Sequence, residues 1–61
     1  MTDVDIRPES APALGDVRTL GEGDHIYIYA GADKREDWPR YLAAVTHAVG
    51  RGANVTNLGV R

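Results

Sequence analysis

His25-Ile26-Tyr27-Ile28-Tyr29-Ala30 alternates apolar and polar-tipped side chains with a period of two, the pattern of a half-buried strand. Ile26, Ile28 and Ala30 share one face, predicted to be the core side; His25, Tyr27 and Tyr29 share the other. Two tyrosines and a histidine in one row are large bodies with polar tips. Such a row suits packing beneath another segment or contact with a partner.

Downstream, past a polar loop, Trp38, Tyr41, Leu42, Val45, Ala48 and Val49 recur at helical spacing and predict one apolar stripe on a helix. Arg40, Ala43, Ala44 and His47 fall on the opposite side. Asp37 is the expected N-cap, and Pro39 sits in the first turn, where its missing N–H costs nothing. Gly50 is expected to end the helix in the left-handed conformation. Trp38 is the expected core anchor, with a truncation to Ala costing about 3–5 kcal/mol if buried. After Arg51-Gly52, the run from Ala53 to Val60 reads as a last strand weakened by two asparagines and a glycine.

Upstream, Val17-Arg18-Thr19-Leu20 is short and β-favouring and runs into Gly21-Glu22-Gly23-Asp24. Glycines admit positive φ without penalty, so this four-residue loop predicts a β-hairpin between residues 17–20 and the His25–Ala30 strand. Residues 1–13 carry Pro8, Pro12 and several acids, with little to bury beyond Val4 and Ile6; they are expected as a flexible acidic arm. Val4 and Ile6 do alternate with Asp3 and Asp5, which fits an edge strand formed on contact with a partner.

Sixty-one residues make one small domain, and a chain of this size buries only about 60% of its unfolded surface. Disulfides, a structural metal or a partner subunit usually supply the missing stability. The chain has no cysteine, so disulfides and thiolate metal sites are excluded. His25 and His47 stand 22 positions apart without metal-ligand spacing. Association with a partner is the helper left, and a homodimer is the expected state.

No apolar run reaches the roughly 20 residues of a membrane span. Met1-Thr2-Asp3-Val4-Asp5 is acidic, unlike the basic-then-apolar start of a signal peptide. A cytoplasmic protein with no membrane partner is expected. Net charge is −2, yet residues 1–33 hold seven acids against two arginines while residues 34–61 hold five basic residues against two acids. Such a split fits an acidic arm and a basic binding face.

Chemical signatures are sparse. Gly21-Glu22-Gly23 and Gly50-Arg51-Gly52 lack the Gly-Lys-Ser/Thr opening of a helix that a phosphate loop requires. Asp24-His25 and His47 are the candidates for acid–base work, with no nucleophile motif or orienting partner beside them. No catalytic residue, metal site or cofactor is assigned, and a non-enzyme is expected. Ile26-Tyr27-Ile28-Tyr29, the helix, and Arg51-Gly52-Ala53-Asn54-Val55 resemble the strand–helix–strand unit of many α/β proteins, and phospholipase-D-like domains contain similar passages. The motif of that family departs here, because His47 is followed by Ala48-Val49 rather than by a lysine two places on. No family is assigned.

The expected fold is therefore α+β: a small β-β-α-β domain over residues 14–61 behind a flexible arm of residues 1–13. The expected function is an interaction or assembly module using His25, Tyr27 and Tyr29, or a strand edge, against a second copy or a protein partner. The alternative is a small nucleic-acid-binding regulator. Lys34, Arg35, Arg40, His47 and Arg51 would meet phosphates, and the tyrosines would stack on bases.

Overall fold

Ile26 and Ile28 lie at the centre of the core, 0% and 5% exposed, and the strand that carries them is the middle of a three-stranded sheet. The computed structural model describes residues 1–58. Strand β1 (Asp3–Ile6) and strand β3 (Asn54–Leu58) flank β2 (His25–Tyr29) in the order β1-β2-β3, and both pairings are parallel. Each parallel step requires a crossover. The first carries helix α1 (Leu14–Arg18); the second carries a 3-10 turn (Ala32–Lys34) and helix α2 (Trp38–Gly50).

Register sorts the side chains by face. Val4, Ile26 and Val55 are aligned across the sheet, as are Ile6 and Ile28. This face meets Val17, Leu20, Tyr41, Ala44, Val45 and Ala48 in one core. Both helices cover this side and pack on each other, as right-handed crossovers moving in one direction require. The other face carries Asp3, Asp5, His25, Tyr27, Tyr29, Asn54, Thr56 and Leu58, and no helix among the described residues covers it.

The α+β class, helix and strand mixed in one small domain, holds. The connectivity differs from the expected β-β-α-β, because residues 14–18 form α1 in place of a hairpin strand. Val17 and Leu20 are three apart. A strand would point them to opposite faces, whereas the helix and its closing turn bury both, at 0% and 6% exposure. The Gly21–Asp24 loop therefore turns from α1 into β2, with the Asp24 amide donating to the Gly21 carbonyl at 2.9 Å and Gly23 at φ 89°.

Residues 1–13, expected as a flexible arm, enter the fold through β1. Ile6 is fully buried, and burying a side chain of this size contributes about 1.5–3 kcal/mol. Val4 and Ile6 are the only apolar pair needed, since their alternation with Asp3 and Asp5 matches Ile26 and Ile28 in register. The edge strand anticipated from a partner is thus built on the chain's own β2.

Helix α2 is rotated from its expected setting. Ala44, read as part of the polar face, is buried, while Leu42 and Val49 are exposed and Trp38 is half-buried at the core margin. Asp37 precedes the helix without a side-chain capping bond; its carboxylate binds Arg35 instead. At the other end Gly50 stays helical, and the positive φ falls on Gly52, at 106°. The Gly52 amide donates to the Val49 carbonyl at 2.9 Å and the Ala53 amide to the Ala48 carbonyl at 3.1 Å. This is the paired closure of a Schellman motif. The expected last strand reached Val60; residues 59–61 lie outside the described residues.

Candidate interaction site

The uncovered face of the sheet is the candidate site. β2 supplies its central row because a strand sends alternate side chains to one side, so His25, Tyr27 and Tyr29 stand in line, all half-buried. The rings of His25 and Tyr27 are stacked, with centroids 4.4 Å apart and planes 19° apart. His25 Nε2 is 2.6 Å from the Thr56 hydroxyl of β3. At the far end the Arg7 guanidinium lies 4.0 Å above the Tyr29 ring, a cation–π contact. Arg7 also approaches Asp5 at 3.8 Å, and the Tyr29 hydroxyl donates to Asp5 at 3.4 Å. The row is held from both neighbouring strands. It is a preformed surface of aromatic rings with an acidic margin.

Two ties place β1 and hence that margin. Asp24 accepts from the Thr2 amide at 2.8 Å and the Gly21 amide at 2.9 Å. The Gly21 bond, with the Thr2 bond behind it, holds the Asp24 carboxyl below the usual aspartate range against partial desolvation. Arg35 closes the opposite end. Its Nη1 donates to the Arg7 carbonyl at 3.0 Å and to the Pro8 carbonyl at 3.3 Å, and its Nε and Nη2 bind both Asp37 oxygens. The hydrogen bonds from Arg35 hold Asp37 below the usual range too.

The expected partner-binding residues His25, Tyr27 and Tyr29 therefore share one surface. Of the expected nucleic-acid set, Lys34, Arg40, His47 and Arg51 are exposed and Arg35 is half-buried. Arg35 is engaged by Asp37 and the β1 loop, and Arg51 donates through Nη1 to the Arg18 carbonyl. The helix residues Arg40 and His47 stand in the layer across the sheet from the tyrosines.

Asp3, Asp5, Arg7 and Thr56 join the face without having been singled out from the sequence. For Asp3, Asp5 and Arg7 the signal was the Asp3-Val4-Asp5-Ile6-Arg7 alternation, which places the two acids and the arginine on one side. An open pocket of about 330 Å³, lined by Pro8, Arg35, Glu36 and Asp37, lies beyond the ends of β1 and β2. Ligand crevices of parallel sheets form where strand order reverses, and the order β1-β2-β3 has no reversal. Among the described residues, no group of three or more His, Asp or Glu side chains is arranged to hold a metal ion. No helix among them is long and apolar enough to cross a membrane. Comparison with protein-family models, curated proteins and solved structures finds no match.

Proposed function

We propose that the chain is a non-enzymatic assembly module that docks a protein partner on its open sheet face. The observation that carries this reading is a parallel sheet covered by helices on one side and lined by His25, Tyr27 and Tyr29 on the other. Parallel sheets ordinarily have both faces covered, and aromatic residues with polar tips are the side chains most enriched at contact surfaces. The partner's surface would offer apolar groups to the tyrosines and a basic group to the Asp3–Asp5 margin.

Affinity capture from the source cells tests it. A protein retained by the wild-type chain and by Arg40→Glu, but lost with Tyr27→Ser/Tyr29→Ser, is the expected result. Equal retention by both variants would contradict it.

A further inference from the structure

We propose that β3, together with the Leu42–Val49 flank of α2, pairs with β3 of a second copy of this chain. The product is a closed two-fold dimer with one continuous sheet. The contact runs along the edge of β3, beside the tyrosine row and not over it, so its failure would leave the partner-docking reading standing.

The two sheet edges differ. β1 presents Asp3 and Asp5, followed by Arg7 and Pro8, and charges and proline on an edge oppose pairing. Two copies joined there would set carboxylates against each other. β3 reads Asn54-Val55-Thr56-Asn57-Leu58, with no charge to oppose pairing of its free amides and carbonyls.

Among the described residues, the flank of α2 above that edge is also uncharged. Arg51 reaches toward α1 through the Arg18 carbonyl, and Gly21 lies against its Cβ. At 100° per residue, Leu42 and Val49 lie roughly 160–180° around α2 from Arg51. They therefore lean away from α1, toward the β3 side. Leu42 and Val49 are 49% and 48% exposed.

A two-fold axis makes this surface self-complementary: antiparallel pairing of β3 with its copy sets the uncharged edge against itself and turns the Leu42–Val49 flank of each α2 toward the other's. A two-fold centred on Thr56 sets Thr56 opposite Thr56, a favourable cross-strand pair, and leaves both tyrosine rows on the same side. Pairing of β3 with β1 of the next copy would instead propagate an open ladder.

Light-scattering mass of the full chain, from low to high micromolar concentration, tests the dimer. The expected mass is twice the 6.6 kDa of the chain, unchanged by salt because no charge of the described residues lies in the contact. Leu42→Glu/Val49→Glu should weaken association at least tenfold with an unaltered far-UV spectrum, while Tyr27→Ser stays dimeric. Should the double variant misfold, Asn57→Lys on the exposed edge is expected to give the monomer. A wild-type monomer, a mass that grows without limit, a dimer surviving both sets of charges, or loss of the dimer with Tyr27→Ser would each overturn the proposal.

Discussion

His25 and Tyr27 lie stacked on the uncovered face of β2, ring centroids 4.4 Å apart, with His25 tied across the sheet to Thr56 at 2.6 Å. Rings fixed in this way lose little freedom when a partner arrives, and preorganisation of that kind favours affinity. The row is not what holds the domain together, because the core lies on the other side of the sheet. Tyr27→Ser should therefore lower stability by about 1 kcal/mol or less, the scale of a cross-strand pair. Chemical denaturation would measure it; a collapse of the fold would make Tyr27 a core residue.

Ile6 makes the opposite prediction. It is fully buried, and Ile6→Ala should cost about 2–5 kcal/mol through lost burial and the cavity left behind. In a domain this small such a loss approaches the whole stability. Thermal unfolding by circular dichroism checks it, and an unchanged midpoint would return residues 1–13 to the status of an arm.

The two glycines near the end of α2 should respond in opposite directions. A Cβ at Gly52 would meet Glu22 Cβ at 3.3 Å, and its φ of 106° strains any other residue, so Gly52→Ala should destabilise by more than about 1 kcal/mol. Gly50 is helical with nothing within 4 Å of an added Cβ. Gly50→Ala should stabilise by about 0.5–1 kcal/mol. Paired denaturation curves settle both signs.

These contrasts mark what the sequence could disclose. The β2 alternation and the α2 stripe are strong local patterns, so both elements and the tyrosine row were legible. β1 is four residues long with acids at alternate positions, and its partner lies about twenty residues away. Composition alone therefore suggests a tail. Leu14, Val17 and Leu20 stand three apart, which fits a helix face and not a strand face, but the β-favouring Val17-Arg18-Thr19-Leu20 run beside the Gly21–Asp24 loop pointed to a hairpin. The sequence assigned Leu42 and Val49 to the core because a helical stripe has two flanks. Which flank is buried depends on where α1 packs, a tertiary fact. Asp37 failed as a cap because Arg35, two residues earlier, competes for its carboxylate. The engagement of Arg35 with the Arg7 and Pro8 carbonyls could not be read before β1 was placed.

Acid should weaken the fold through Asp24 and Asp37. Hydrogen bonds from Gly21 and from Arg35, respectively, hold both carboxyls below the usual aspartate range when folded. Their contribution is complete above that range and is lost as pH falls through it toward the depressed folded values. Urea midpoints from about pH 6 to about pH 2.5 should fall on the acid side. Asp24→Asn should lower the neutral midpoint and flatten that fall. An acid limb identical to wild type would remove Asp24 from the account.

The most direct measurement is photo-crosslinking in the source cells, with a benzophenone amino acid placed at Tyr27 and, as control, at exposed His47 on α2. A discrete adduct from position 27 that position 47 does not form is the predicted result. Equal adducts from both positions, or none from position 27, would contradict the assignment of the open sheet face as the contact surface.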